Sequence, residues 1–341
     1  MPANIPPATD FAEECSAPSK PASPKQASSA MVIIAFAILY IVWGSTYFFI
    51  RLAIRGFPPM MLGALRYQIA GALMLSWCLF RGEKLFVWKD VRPAAISGLL
   101  LLLLGNGILI WSEQYLASSL AAILLASGPL WFVILDRRNW AENFHSKETL
   151  IGLAIGFIGV ILLFIEKLMR TMHATNSKWE LVALGALLIA SICWAAGSLY
   201  AKYNSSGPSN SVNAGWQMMA AGIAFVPVGL LSGETSHFHF HAVTAASWLA
   251  LFYLVTMGSL AGYSAFIWLL QVRSATQVST HAYVNPVVAV LLGVFFTGDA
   301  SERMSSLQIL GLAVILLSVL LINLAKYRKE FHSRKPKVKP A

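Results

Sequence analysis

The stretch "STHAYVNPVVAVLLG" (279–293) carries a histidine, an asparagine and a proline inside an apolar run. Gln277, His281 and Asn285 fall at i, i+4 and i+8, the spacing of one helix face. Such a stripe can do one of two things. It can hydrogen-bond a neighbouring helix, or it can face a wet cavity and touch a solute. His281 could also carry a proton near neutral pH. Arg66 raises a second question, because it is the one full charge well inside an apolar run. A guanidinium in hydrocarbon costs about 3 kcal/mol or more unless it is paired or reaches the interface. It either serves as counter-charge to a solute carboxylate, or it snorkels outward or bonds backbone carbonyls nearby.

Aromatic residues recur in the same runs. Trp43, Tyr47, Trp111, Trp194 and Tyr263 suit an amphipathic pocket with an apolar body and hydrogen-bonding edges. Packing and interface belts are their ordinary uses, yet Trp43 and Trp194 fall near the middle of their runs. No aspartate or glutamate is expected deep in a run. Glu113, Glu166 and Asp299 map to one set of ends and Asp136 to the other. Proton coupling would then rest on His281. No phosphate-binding loop is present, so ATP-driven pumping is not expected, nor is a cofactor. "HFHFH" (237–241) would place three imidazoles on one side of an extended strand. Without an acidic or cysteine neighbour it reads as a solvated loop, and no metal is assigned. Cys15, Cys78 and Cys193 form no metal spacing and read as small packing residues.

The elements that must position these residues follow from composition. The chain is 57% hydrophobic and 12% charged, about half the charge of a soluble domain. Ten apolar runs of roughly 20 residues lie between residues 30 and 325, the length that spans a bilayer as a helix. Backbone groups in lipid must be satisfied within the segment. The expected fold is an all-α integral membrane protein of ten transmembrane helices.

Those ten helices divide into two similar halves. At one constant offset of 157 residues, Gly105 meets Gly262, Ile110 meets Ile267, Trp111 meets Trp268, Gln114 meets Gln271 and Pro129 meets Pro286. "YQ" (67–68) echoes "WQ" (216–217), and the Trp43 segment echoes the Trp194 segment. Each half has five spans, an odd number, so the second enters from the opposite side. Two inverted five-helix repeats are a hallmark of secondary transporters. The first repeat is placed at 30–166 (spans 1–5) and the second at 179–325 (spans 6–10). A disordered tail (1–29) precedes them and a basic tail (326–341) follows. Pro129 and Pro286 would break spans 4 and 9 near the midplane, either as gating elements at a transport site or as packing kinks. The repeat partners of Gln277, His281 and Asn285 are Leu120, Leu124 and Gly128. The stripe exists in one half only, which favours solute contact over symmetric packing.

With the N-terminus inside, eighteen Lys and Arg fall on the inner side and six on the outer. Both termini are therefore expected in the cytoplasm. The basic tail reads as an anchor beside anionic lipid, not a nucleic-acid site.

"YIVWGSTYFFIRLAI" with "PPMMLGALRYQIAGALML", together with "EQYLASSLAAILLASGPLWFVIL" and "SATQVSTHAYVNPVVAVLLGVFFTGD", resembles the EamA-type members of the drug/metabolite transporter superfamily. The likeness runs from about 33 to 325 and leaves out only the tails. It implies ten helices in two inverted repeats, and export of amino acids, other metabolites or drugs across the bacterial inner membrane. Arg66, Pro129 and Pro286 match the family pattern, whereas His281 and Asn285 are not dictated by it. The resulting expectation is a non-enzymatic secondary transporter with alternating access around a midplane cavity. The cavity would be built from spans 1–4 and 6–9 and lined by Trp43, Tyr47, Arg66, Trp111, Trp194, Tyr263, His281 and Asn285. A small molecule and the lipid bilayer are its expected partners, and a homodimer stays open. The rival is a membrane-embedded enzyme acting on lipid or isoprenoid, which would need clustered acids, bases or metal ligands.

Overall fold

The structure is a computed structural model and describes residues 28–116, 118–174, 178–204, 209–236, 238–297 and 306–333. The N-terminal tail, the last eight residues of the basic tail, His237 and Asp299 lie outside them. The regular secondary structure of the described residues is all helical, with no strand. In chain order the helices are α1 (Ser29–Ala53), α2 (Pro59–Phe80), α3 (Trp88–Ser112), α4 (Ser118–Leu125), α5 (Gly128–Leu135), α6 (Trp140–His145), α7 (Lys147–Ala174), α8 (Lys178–Asn204), α9 (Asn210–Leu231), α10 (Ala245–Val272), α11 (Ala275–Val278), α12 (His281–Thr297) and α13 (Ser306–Ser333). If α4–α5 and α11–α12 are each taken as one broken rod, and the short α6 is set aside, the described residues form ten rods.

Five rods are long and apolar enough on their own to cross a membrane: α1, α3, α8, α9 and α10. The rest fall short for local reasons. Arg66 and Gln68 lower the hydropathy of α2, and the broken rods divide into short helices. Between α6 and α7 the chain bends by 92°. Large side chains such as Ile41, Leu73, Ile158, Ile189, Ile223 and Phe252 point outward and are exposed. Apolar surface on that scale needs lipid around it.

Glycine contacts show how the halves meet. A Cβ on Gly71 would lie 2.8 Å from Met219 N, and one on Gly222 would lie 2.6 Å from Gln68 N. The two contacts interchange if Gly71 is matched with Gly222 and Gln68 with Met219. The register between α2 and α9 is therefore antiparallel and two-fold. Helices α7 and α13 repeat the arrangement, with Gly156 against Ser318 and Gly159 against Ile315. Counterpart helices that pack antiparallel across one axis are inverted repeats, as expected. The register also corrects a detail. In α2 and α9 the counterpart of Arg66 is Gln217, so "YQ" and "WQ" are not aligned pairs.

A second mark of the duplication is backbone geometry. Rod α3 runs as a π-helix from Leu99 to Gly107, and α10 does so from Leu254 to Tyr263. π-helical segments are rare and gather at functional sites. Here they occupy matching places in the two repeats.

Breaks in the rods are set by hydroxyl groups as much as by proline. Between α4 and α5, Ser127 Oγ donates to Leu124 O at 2.7 Å, and Pro129 stands in the first turn of α5. Between α11 and α12 the interruption falls at Ser279 and Thr280, and not at Pro286, which lies inside α12. Ser279 Oγ donates to Thr276 O at 2.8 Å, and Thr280 Oγ1 donates to Gln277 O at 2.6 Å. Side chains that bond carbonyls three residues back offer the backbone an alternative to the helical ladder.

Candidate functional site

One cavity lies at the middle of the bundle, with an empty volume of about 760 Å³, its mouth included. Rods α1, α2, α3, α4–α5, α8, α10 and α12 contribute to its wall. Seven of the eight residues expected there line it: Trp43, Tyr47, Arg66, Trp194, Tyr263, His281 and Asn285. Trp111 does not. It packs instead against Tyr115 and Trp179 at the end of α3, with ring centroids 5.1 and 6.4 Å away. Gln277 also leaves the expected stripe, because the break at Ser279–Thr280 separates it from His281. It is buried and bonded to Ser274. Span 7, placed in the wall by sequence, supports it from behind.

The two π-helical segments carry the wall. Gly105 presses on Trp194, with a Cβ there 3.0 Å from Cε3, and Gly262 presses on Trp43, with a Cβ there 2.5 Å from Nε1. Each tryptophan of one repeat thus nests on the glycine of the other; a side chain at Gly262 would collide with Trp43, and one at Gly105 would require Trp194 to give way by a few tenths of an ångström. Trp43 Nε1 donates to Gly258 O at 3.1 Å. Trp194 Nε1 is buried and has no partner. Phe266 and His281 complete an aromatic cluster around Trp43, with centroids 4.9 and 5.1 Å away.

Arg66 is 3% exposed. Its Nε donates to Ser259 Oγ at 2.9 Å, and Nη1 reaches Asn106 Oδ1 at 3.4 Å. Tyr67 Oη also donates to Asn106, at 2.8 Å. Among the described residues no carboxylate is seen to pair with Arg66. The counterpart site in the second repeat is instructive. There Tyr263 Oη donates to Gln217 Oε1 at 2.8 Å, and Gln217 Nε2 donates to Ser97 Oγ at 2.9 Å. A neutral amide therefore does at Gln217 the packing that Arg66 does in the first repeat, so packing alone does not require the charge. Asn285 Oδ1 is a further buried atom without a partner in the cavity wall.

Thr46, Tyr67, Asn106, Ser191 and Ser259 also face the cavity and were not singled out by sequence. Asn106 carried a signal, an amide between two glycines after a run of leucines. The four others are small or aromatic residues of the kind that usually only pack.

Away from the cavity, a polar network ties the repeats together where α5 and α8 end. Tyr203 Oη donates to Asp136 Oδ1 at 2.6 Å, and Asn139 Nδ2 donates to Asp136 Oδ2 at 3.0 Å. Lys202 Nζ donates to Arg273 O at 2.8 Å and to Leu270 O. Among the described residues, no group of three or more His, Cys, Asp or Glu is placed to hold a metal ion.

The EamA-like transporter family matches residues 30–165 and again 181–324. The chain belongs to that family. It is 36% identical over 291 residues to the uncharacterized inner membrane transporter YedA of Escherichia coli K12, covering 85% of this chain and 89% of the relative. It is 25% identical to a probable amino-acid metabolite efflux pump of the same organism, covering 84% and 92%. One solved crystal structure shares the fold, with a TM-score of 0.68 at 18% identity, over 87% of this chain and 98% of that one.

Proposed function

We propose that this chain is a secondary transporter that exports a small amphipathic metabolite bearing a carboxylate, by alternating access around the central cavity. One observation carries the reading. Arg66 is a buried cation on the cavity wall with no carboxylate of its own, and the counterpart site packs with a neutral glutamine. A buried charge is retained where it is paired, and the solute supplies the partner. Its carboxylate would meet Arg66, its apolar part would lie among Trp43, Trp194 and Tyr263, and a donor on it would reach Asn285 Oδ1. The Asp136–Tyr203 contact joins the first repeat to the second, and the aromatic cluster forms part of the cavity wall. Both would part in the opposite conformation, since inverted repeats give two such states by exchanging shapes. The excess of Lys and Arg in the loops supports placing this closed end in the cytoplasm.

The test is metabolite profiling of cells that overproduce the wild type or Arg66→Gln at equal protein level. One carboxylate-bearing compound should fall inside and rise outside with the wild type only. Equal export by Arg66→Gln, or export of compounds that lack an acidic group, would overturn the reading.

A further inference from the structure

Glu113 follows α3 at the end of the bundle away from Asp136. Sequence placed it at a water-facing end, but it is 4% exposed. Neither of its carboxylate oxygens makes a hydrogen bond of normal geometry, and neither do the hydroxyls of Ser112 and Ser118, though Ser118 lies close enough to act on the carboxyl. Arg51 of α1 acts on it from beyond ion-pair distance and is itself exposed. Tyr47 of the cavity wall feels both the Glu113 carboxyl and the Asn285 side chain. Of the elements packed on α3, α8 starts with Lys178, which is exposed, and Glu180, which is half-buried; α2 brings Arg66 and Tyr67. An anion shut away from water with no more than a serine hydroxyl beside it is an unfavourable state of a carboxyl group, which takes up a proton instead. As the acid it gains a donor for the serine hydroxyls.

We propose that Glu113 is a proton-binding site beside the substrate cavity, holding a proton in this conformation and losing it when the opposite conformation closes this end and brings Arg51 against it. The O–H bond breaks, the proton leaves to water at the mouth, and the anion is matched by the guanidinium. Protonation then stabilises the conformation described here, and the cavity's accessibility from this end rises as pH falls. The proposal rests on the two-conformation reading above. Its first test requires no transport, so the two can fail separately.

Infrared difference spectroscopy of the purified protein in nanodiscs should show the carbonyl stretch of a protonated carboxylic acid near neutral pH. The band should disappear in Glu113→Gln and persist in Glu234→Gln. A band unchanged in Glu113→Gln would overturn the assignment. The second test labels a cysteine at Ala282, in a background without the native cysteines, with an impermeant maleimide. Labelling should increase on acidification in the Ala282→Cys protein. It should be high and independent of pH when Glu113→Gln is added. Should that variant fail to fold, Arg51→Gln should likewise keep labelling high at alkaline pH. A pH response that survives either substitution would overturn the mechanism.

Discussion

Trp43 meets Trp194 edge to face, with ring centroids 5.3 Å apart and planes 80° apart. The two are counterparts in the two repeats, so their contact sits where the halves meet. They differ in one atom's fate. The indole N–H of Trp43 is spent on Gly258 O, while that of Trp194 is buried and free. Trp43→Phe should therefore cost stability, about 0.5–1.5 kcal/mol for the lost hydrogen bond. It should lower the unfolding temperature in detergent. Trp194→Phe should cost less, and it should raise the half-saturation concentration of the transported solute by about three- to tenfold, the worth of one net hydrogen bond. Equal unfolding temperatures for the two variants would contradict the difference.

The glycine contacts of α2 and α9 make a second prediction. A side chain at Gly222 would run into backbone at Gln68, which cannot move without shifting the helix. Gly222→Val should destabilise by about 1–3 kcal/mol, the cost of overpacking. Gly71→Val should match it, because the contact is its two-fold image. Gly185 in α8 has nothing near its missing Cβ. Gly185→Ala should be neutral or stabilising by up to about 1 kcal/mol, the helix propensity difference. Thermal unfolding of the three variants decides it.

Glu234, in the single turn Glu234–Ser236, caps the start of α2 across the repeat boundary. Its carboxylate accepts from Met60 N at 2.9 Å and Met61 N at 3.1 Å. Burial pushes this carboxyl above the usual range, while the two backbone N–H groups pull it back. A raised folded-state value means the folded chain binds the proton more tightly than the unfolded one. That contribution is present below the ordinary carboxylate range and is lost as pH rises through the raised value. The stability of the wild type relative to Glu234→Gln should therefore fall as pH rises through that window. Glu234→Ala should cost about 0.5–2 kcal/mol as a lost cap. Unfolding temperatures across pH measure both.

Much of the site was legible because hydrocarbon penalises what it does not need. Arg66, His281 and Asn285 stood out in apolar runs for that reason, and Trp43 and Trp194 stood out by their mid-run position. The duplication was legible through Gly105 and Gly262, whose spacing the packing of the two tryptophans demands. Other features had no mark in composition. A π-helical turn adds a residue without a signature of its own, so the π-helical form of α3 and α10 could not be anticipated, although both spans were expected in the wall. The break in α11–α12 depends on hydroxyls at Ser279 and Thr280 returning to local carbonyls, a choice that tertiary contacts settle. That break turned Gln277 out of its stripe. Glu113 looked exposed because distance along a rod predicts depth in the membrane, not the cover that neighbouring helices provide.

The last prediction concerns the tie between Asp136 and Tyr203. Asp136 ends α5 in the first repeat and Tyr203 lies near the end of α8 in the second, so their 2.6 Å hydrogen bond ties the repeats at the end that the proposed function takes as closed. A hydrogen bond to a charged group contributes about 1.5–3 kcal/mol. Tyr203→Phe removes it from this conformation while leaving the ring and its contact with Arg138, 4.4 Å from the ring centroid. The conformer ratio should then shift about tenfold or more toward the opposite state. A cysteine at Ala190, on the cavity wall, should become labelled by an impermeant reagent added from the Asp136 end, several-fold faster in Tyr203→Phe than with Tyr203 intact. Labelling from the opposite end should slow in step. Unchanged rates from both ends would mean that the aromatic cluster around Trp43 alone closes the cavity, and that the polar tie is ornamental to the gate.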